Sequence, residues 1–317
     1  MKVSSLSVVC FDDNNYEFIN GSLKNDILYP SFAIKNEYNS LDELISELNA
    51  NIIESKSKYI TFVYGGSDLL DRVEFLNRNI MNHSAEILKR FKSSFDIELK
   101  DYLIDYSLYE SENEYVAYIC GIPKHFEELF HKIKNAKFIS CFSDIYATSL
   151  FFTNENEISL KLNVRNNNTV LCITESNNIL FTRGLNIGLK SIAQKIATDG
   201  GVSINSVFDY LADVGVDDYE TEEKQAISTT IRDNIDRVSL EIQRTLDYYN
   251  RYISKGKVES INIIGKFNSI KSIEKYYNKL FNLKINKTIP ENFIAESNHE
   301  FDDFDYLIEI LGAFKEI

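Results

Sequence analysis

Two adjacent carboxylates in a polar turn, Asp12 and Asp13, have the clearest chemical potential in the sequence, and Asn14 and Asn15 follow them directly. Paired carboxylates can hold a cation or orient a water molecule. The same residues are equally typical of a solvated hairpin tip, because Asp and Asn side chains bond nearby backbone groups. No glycine lies beside the two aspartates, so the turn alone does not predict close approach of its backbone to a ligand.

The other reactive residue types do not form a recognisable catalytic set. His125 and His131 lie on one predicted helix but lack the four-residue spacing of a helical metal site. The stretch Gly65-Gly66-Ser67 lacks the lysine of a Walker-type phosphate-binding loop. The four cysteines lie far apart inside apolar runs, which predicts buried reduced thiols rather than a metal site: Cys10, Cys120, Cys141 and Cys172.

Length and composition describe a soluble globular protein. The chain has 317 residues, 44% of them hydrophobic and 26% charged, and this length favours two lobes or domains over a single core. Its net charge of −14 argues against nucleic acid or an anionic membrane surface as the main partner, because both require clustered Lys and Arg. The sequence has no run of 18 apolar residues and no basic region followed by an apolar core at its N-terminus. We therefore expect neither a membrane span nor an ordinary secretion signal.

Hydrophobic periodicity predicts an alternating series of strands and helices that would position these residues. The strongest pattern lies at 157–188, where two apolar strands flank a turn of three asparagines and a third strand follows Ser176-Asn177-Asn178. Ser40 and Glu43 have the spacing of a capping box at the start of a helix. Other strands are predicted at 6–11, 16–19, 27–34, 59–64, 102–109, 115–120, 137–142, 258–264 and 283–285. Helices are predicted at 41–52, 79–95, 124–134, 144–152, 187–199, 203–212, 226–252, 269–281 and 304–314.

Several of these stretches resemble PilM, a family of cytoplasmic actin-like proteins in type IV pilus machines. The most specific are 180–188 (LFTRGLNIG) and 236–249 (DRVSLEIQRTLDYY), which resemble the family's Arg-containing strand and turn and its Glu-Ile-x-Arg helix. Weaker matches occur in the same order along the chain, at 102–109 (YLIDYSLY), 116–124 (VAYICGIPK), 261–270 (INIIGKFNSI) and 311–313 (LGA). The stretch Asp71-Arg72-Val73 resembles the family's Arg-x-x-x-Pro segment but lacks the proline.

The resemblance implies an α/β fold of the actin-like (ribonuclease H-like) class, with two lobes and an inserted α+β subdomain of the FtsA 1C type. It also implies a division into four subdomains. These are 1A at 1–66 and 144–155, the inserted 1C at 67–143, 2A at 156–195 and 256–317, and 2B at 196–255.

The resemblance further implies a nucleotide site that has lost several of its usual residues. Actin-like ATPases hold phosphates with backbone N–H groups of two hairpin turns, in which glycine admits the phosphates and an Asp positions Mg²⁺ or water. Asn163 stands where that Asp is expected in the second turn, and Arg165 stands where glycine is expected. In the adenosine-side turn, Gly265 is kept and Lys266 replaces a second glycine. The implied site residues are Asp12, Asp13, Asn14, Asn163, Arg165, Thr169, Gly188, Arg237, Glu241, Gly265 and Lys266, with Arg237 and Glu241 at the expected ribose contacts. Binding of ATP and Mg²⁺ stays open, and efficient hydrolysis is not expected.

The function implied by the resemblance is a scaffold in the inner-membrane platform of a type IV pilus system. The family captures the cytoplasmic N-terminal tail of a PilN-type membrane protein, and we expect the groove at 59–66 and 115–119. Other platform components or a motor ATPase are further implied partners, homo-oligomerisation is left open, and nucleic acid is not expected. The implied location is cytoplasmic, at the inner face of the membrane through a partner. The alternatives are an active actin-like ATPase and an FtsA-like filament-forming cell-division protein.

Overall fold

The computed structural model describes residues 6–111, 114–152, 156–217, 220–297, 299–301 and 303–317. Its strands are β1 (Leu6–Phe11), β2 (Asn15–Lys24), β3 (Ile27–Glu37), β4 (Tyr59–Tyr64), β5 (Leu70–Asn77), β6 (Tyr102–Glu110), β7 (Glu114–Pro123), β8 (Lys137–Ser143), β9 (Ile158–Val164), β10 (Thr169–Glu175), β11 (Asn178–Leu185), β12 (Ser260–Gly265) and β13 (Lys284–Lys287). Its helices are α1 (Leu41–Ser55), α2 (His83–Phe95), α3 (Glu127–Lys132), α4 (Asp144–Phe151), α5 (Leu189–Gly200), α6 (Ile204–Asp213), α7 (Glu222–Tyr248), α8 (Ile273–Phe281) and α9 (Leu307–Glu316).

The chain divides into two compact units. Unit 1 comprises Met1–Asn154, Asn177–Leu180 and Glu291–Ile317, and unit 2 comprises Glu155–Ser176 and Phe181–Pro290. Among the described residues, no helix combines the length and the apolar character that a membrane span requires.

Unit 1 is built on a five-stranded sheet with the order β3-β2-β1-β4-β8. Strand β1 pairs antiparallel with β2 and parallel with β4, and β4 pairs parallel with β8. One face of the sheet packs on α1 through buried Leu44, Leu48 and Ile52. Helix α1 begins where Ser40 Oγ accepts the Glu43 N–H at 3.2 Å, as the capping spacing predicts.

The C-terminal helix α9 also belongs to unit 1, where it packs on α4 and on strands β1, β2 and β4. A Cβ atom added to Gly312 would lie 1.8 Å from the Ala147 carbonyl oxygen, so α9 and α4 approach closely at this residue. The buried Glu17 carboxylate accepts the N–H groups of Asp305 at 2.6 Å and Tyr306 at 2.9 Å, just before α9 begins. These contacts attach the end of the chain to the first sheet.

A three-stranded antiparallel sheet with the order β5-β7-β6 is inserted between β4 and β8. Helix α2 covers it with Ile87 and Phe91. Strand β5 was not predicted, because its sequence LDRVEFLN mixes charged and apolar residues and gives only a weak alternation. The insertion is therefore a small α+β layer with its own apolar core.

Unit 2 repeats the same sheet plan, with the order β11-β10-β9-β12-β13. Strand β9 pairs antiparallel with β10 and parallel with β12. The 27-residue helix α7 buries Ile231, Ile235, Val238 and Ile242 along one stripe and continues into a π-helical turn at Tyr249–Ile253. It begins at Glu222 rather than at the predicted residue 226, because Thr221 caps it through the Lys224 N–H.

Two predicted segment boundaries differ from this architecture. Residues 137–143 were predicted within the inserted subdomain, whereas β8 pairs with β4 as the outer strand of the first sheet. Residues 291–317 were predicted with the second half of the chain, whereas they lie in unit 1 because α9 packs on β1 and β4. The finer division into four subdomains stays a prediction.

Candidate functional site

The first candidate turn is held by its own carboxylate. Asp12 Oδ1 accepts the backbone N–H of Asn14 at 3.0 Å, the backbone N–H of Asn15 at 2.9 Å and the Asn15 side-chain amide at 3.1 Å. The turn closes with the Asp12 N–H on the Asn15 carbonyl oxygen at 3.0 Å. Asp12 Oδ2 accepts the Tyr306 hydroxyl at 3.1 Å. The Asp12 carboxylate is thus engaged by donors of unit 1.

Asp13 has a similar role in the neighbouring loop. Its two carboxylate oxygens accept the Ser67 N–H at 3.0 and 3.2 Å. A Cβ atom on Gly66 would lie 2.6 Å from Asp13 Oδ1, so glycine is needed where the loop passes the carboxylate. Gly66 is therefore explained by the close approach of Asp13 and of the Tyr64 hydroxyl, which would lie 2.2 Å from the same Cβ atom, whereas Gly65 lies beside Asp144 and Tyr306.

The second candidate turn, between β9 and β10, packs on the start of α5. The Arg165 N–H donates to the Asn168 carbonyl oxygen at 2.9 Å, and the Leu189 N–H donates to the Arg165 carbonyl oxygen at 2.9 Å. Thr169 Oγ1 donates to the Ile187 carbonyl oxygen at 2.6 Å. A Cβ atom on Gly188 would lie 2.4 Å from the Asn166 carbonyl oxygen, which explains the glycine at this position.

Three implied residues meet where β9 and β12 end. Asn163 is 2% exposed and Arg165 is 2% exposed, so neither presents a side chain to solvent. Gly265 pairs with Val164, has a φ of 71°, and would place a Cβ atom 2.4 Å from the Val164 carbonyl oxygen. The next residue, Lys266, begins a 3₁₀ turn that ends at Ser269.

The two residues at the expected ribose contacts have different environments on α7. Glu241 is ion-paired with both Arg183 of β11 and Arg244 of α7. Arg237 lies exposed on the same helix. The Glu241 carboxylate is therefore already held by two guanidinium groups. Among the described residues, no group of three or more His, Cys, Asp and Glu side chains is placed to hold a metal ion.

Unit 1 contains a groove whose lining was predicted only in part. Its volume is about 420 Å³, and it lies between the inserted sheet and β8. Tyr118, from the predicted stretch 115–119, lines it, whereas Tyr59–Tyr64 is an interior strand between β1 and β8. The lining residues are Asp105, Tyr106, Ser107, Tyr118, Cys120, Phe138, Ile139, Ser140, Cys141, Phe142, Ser143 and Tyr146.

Two strand edges form the walls of this groove. Among the described strands, β6 is the outer strand of the inserted sheet and β8 is the outer strand of the first sheet. The Tyr118 and Ser143 hydroxyls lie 2.7 Å apart and join the inserted sheet to the end of β8. Burial raises the pKa of Cys120 to about 12, with the nearby Asp105 adding to the shift, so this thiol is a poor nucleophile.

Comparison of the structure with known proteins finds the actin-like fold. The structure of a PilM–PilN type IV pilus biogenesis complex matches with a TM-score of 0.71 and 10% identity, over 100% of both chains. MreB5 of Spiroplasma citri bound to AMPPNP matches with a TM-score of 0.52 and 9% identity, over 99% of this chain and 96% of that one. The ethanolamine utilization protein EutJ from Carboxydothermus hydrogenoformans matches with a TM-score of 0.51 and 8% identity, over 98% and 88%.

No family model matches the sequence, and no curated protein matches it. At identities near 10%, the structural matches establish the fold and leave the function to the residues of this chain. The fold prediction and the resemblance to PilM are confirmed at this level. The chain is an actin-like α/β protein whose fold matches that of PilM over its full length.

Proposed function

We propose that this chain is a PilM-like scaffold that binds the cytoplasmic N-terminal tail of a PilN-type inner-membrane protein in the groove between β6 and β8. The observation that carries the proposal is the groove itself, whose two walls are outer strands of separate sheets. The full-length fold match to a PilM–PilN complex supports the choice of partner.

An extended peptide suits this groove because an outer strand offers backbone N–H and C=O groups to a further strand. Strand β8 is seven residues long, enough to pair with a short tail. Its half-buried Phe138 and Phe142 provide apolar contacts, and Ser107 and Ser140 provide hydroxyl groups. The lining therefore combines main-chain pairing with mixed side-chain contacts, which is how strand addition achieves affinity and specificity.

Charge favours a basic residue on the tail. Asp105 is an exposed carboxylate on the β6 wall, and the chain as a whole carries a net charge of −14. Long-range attraction of this kind raises the association rate more than it raises affinity. Binding of this tail would place the protein at the inner face of the membrane without a span of its own. Contacts with other platform components, with a motor ATPase or with a second copy would then use surfaces outside the groove.

The test is titration of the full-length chain with a synthetic peptide of the PilN-type protein's N-terminal cytoplasmic segment. The variant Ile139→Asp changes a side chain on β8 that is 38% exposed, and the matched control Ile289→Asp changes one in unit 2 that is 42% exposed. We expect wild-type and control proteins to bind alike and Ile139→Asp to bind at least about tenfold more weakly, because a carboxylate would be buried beneath the peptide.

Thermal unfolding of all three proteins checks that the two substitutions perturb stability equally. Absence of binding to the wild-type protein rejects the tail as the partner. Equal binding by the Ile139→Asp and Ile289→Asp variants rejects the groove as the site.

A further inference from the structure

We infer that this actin-like chain does not bind nucleotide, because the carboxylate of Asp12 already accepts the backbone N–H groups that would otherwise hold a phosphate. The inference concerns the β1–β2 turn and the loop after β4. It does not depend on the groove or on the identity of the tail.

The β1–β2 turn has few donors left for a ligand. A phosphate is held in such turns by successive backbone N–H groups that point at one anion. Here the N–H groups of Asn14 and Asn15 both point at Asp12 Oδ1, at 3.0 and 2.9 Å, and the Asn15 amide adds a third donor at 3.1 Å. The Asp12 N–H closes the turn on the Asn15 carbonyl oxygen. A carboxylate oxygen thus occupies the place of a phosphate oxygen.

The loop after β4 repeats this arrangement. The Ser67 N–H donates to both carboxylate oxygens of Asp13, at 3.0 and 3.2 Å. Gly66 passes so close that a Cβ atom would lie 2.6 Å from Asp13 Oδ1. A phosphate at this loop would have to displace Asp13 from its backbone donor.

Two buried tyrosines hold Asp12 in place. The Tyr306 hydroxyl donates to Asp12 Oδ2 at 3.1 Å, and the Tyr38 hydroxyl donates to the Asp12 carbonyl oxygen. Burial raises the pKa of Tyr38, and the charges of Asp12 and Asp13 raise it further. Burial also raises the pKa of Tyr64, with Asp13 as the next contributor. Both phenols therefore keep their protons at neutral pH, and Tyr38 remains a donor to Asp12.

Charge opposes a phosphate at the same place. The sequences of the two loops, 12–15 and 65–68, contain three aspartates and no Lys or Arg. Without a bridging cation, a triphosphate would enter a cluster of like charges, which is unfavourable at short range. The two carboxylates that could bind such a cation, Asp12 and Asp13, already accept backbone N–H groups. The geometry and the electrostatics of unit 1 thus agree.

The inference is tested first on the wild-type chain. Its thermal midpoint is measured with 1 mM Mg-ATP, with 1 mM Mg-ADP and with a salt control of equal ionic strength. A site with a dissociation constant near 10 μM would raise the midpoint by a few degrees. We expect no shift beyond the salt control. A reproducible rise with either nucleotide overturns the inference.

Variants then test the role of Asp12. The substitution Asp12→Ala removes the acceptor, and we expect the midpoint to fall by several degrees, because the N–H groups of Asn14 and Asn15 lose their partner. Asp12→Asn keeps an oxygen acceptor and should lose less. The control Asp68→Ala removes an exposed carboxylate in the adjacent loop and should leave the midpoint unchanged.

An Asp12→Ala protein with the same midpoint as the Asp68→Ala control overturns the inference as firmly as a nucleotide shift does. If Asp12→Ala does not fold, the difference between Asp12→Asn and wild type decides, and equality of these two counts against the inference. Peptide titration separates this result from the proposed function. A chain that binds the tail and also responds to Mg-ATP contradicts the nucleotide inference alone, whereas a chain that binds neither contradicts the tail proposal alone.

Discussion

The two units share one sheet plan, in which a three-strand meander is followed by two parallel strands on the other side of the first strand. The equivalent positions can be matched through the parallel pairs, which end at Phe11 and Tyr64 in unit 1 and at Val164 and Gly265 in unit 2. Equivalent positions carry different side chains, and the differences follow from what packs on each sheet. The shared topology therefore does not impose a shared chemistry.

The hairpin turns show this most directly. In unit 1 the turn N–H groups bond the Asp12 carboxylate, so a side chain completes the turn. In unit 2 the turn carbonyl oxygens of Arg165 and Asn166 accept N–H groups from the start of α5. One turn is satisfied locally and the other by a helix terminus, which itself needs acceptors for its first N–H groups. Only the unit 1 turn thereby uses backbone N–H groups of the kind that hold phosphate in a nucleotide-binding turn.

The faces of the sheets differ in the same way. Val8 and Cys10 lie on the face of β1 opposite α1, which is the face that α9 covers in unit 1. Their equivalents on β9 are Lys161 and Asn163, followed on β12 by Asn262, whose side chain accepts from Asn286 at 2.8 Å. An apolar helix packs on an apolar face of a sheet, so the contact between α9 and β1 accounts for the apolar Val8 and Cys10 in unit 1.

The largest expected effect is a loss of stability at the contact between α4 and α9 in unit 1. Gly312→Ala would place a Cβ atom 1.8 Å from the Ala147 carbonyl oxygen, and neither backbone can move without separating α9 from α4. We expect a loss of about 3 kcal/mol or more in the free energy of unfolding, measured by chemical denaturation. The control Gly184→Ala in β11 has open space around its Cβ position and should change stability by less than about 0.5 kcal/mol. Similar losses for the two variants would show that α9 does not approach α4 as described.

The positions of the strands and helices along the chain, and the cap of α1, were largely predictable, because both depend on residues near one another in sequence. Ser40 caps α1, as its spacing from Glu43 predicts, and Ser143 and Ser203 cap α4 and α6 in the structure. The closure of the first turn by Asp12 was not predicted, since Asp in a turn is compatible with both a ligand site and a local bond. Its partner Tyr306 lies 294 residues away in sequence, and only the folded chain brings the two together.

The groove could not be predicted in detail for the same reason. Tyr118 and Ser143 are brought together across a sheet boundary, and the amino-acid pattern of β8 does not reveal that one of its edges is open. An apolar strand has the same amino-acid pattern whether it is central or outermost in its sheet. The predicted groove was therefore placed at β4 rather than at β8. Edge positions follow from topology, which local sequence does not encode.

The next largest effect is a pH dependence of stability at Glu17 of β2. The equivalent residue in unit 2 is Val170 of β10, which does not titrate. Burial raises the pKa of Glu17 to about 7, against the lowering effects of Lys35 and the Asp305 N–H. The folded state therefore holds a proton that the unfolded state releases from about pH 4.5 upward, so stability is present below that pH and is lost as the pH rises through 7. We expect a decline of about 3 kcal/mol across this range.

The variant Glu17→Gln does not titrate and keeps one oxygen acceptor, whereas the carboxylate accepts the Asp305 N–H with Oε1 and the Tyr306 N–H with Oε2. Unfolding free energies of both proteins at pH 4.5, 6 and 8 give the contribution of Glu17 as their difference, because all other groups titrate alike. A difference that is constant with pH would show that folding does not raise the pKa of this carboxyl.

The smallest of the three effects is the difference between two glycines near the ends of parallel strands. Gly65 directly follows β4, and Gly265 is the last residue of β12. Gly265 has φ 71° and ψ −146°, a region open to glycine and strained for other residues, and its Cβ position lies 2.4 Å from the Val164 carbonyl oxygen. Gly65 would meet only side-chain atoms of Asp144 and Tyr306 at 3.0 Å, and these can shift slightly. We expect Gly265→Ala to cost about 2 kcal/mol more than Gly65→Ala in denaturant unfolding. Equal costs would mean that the β12 end relaxes as readily as the β4 end. The close approach of Gly265 to the Val164 carbonyl oxygen would then not require a glycine at this position.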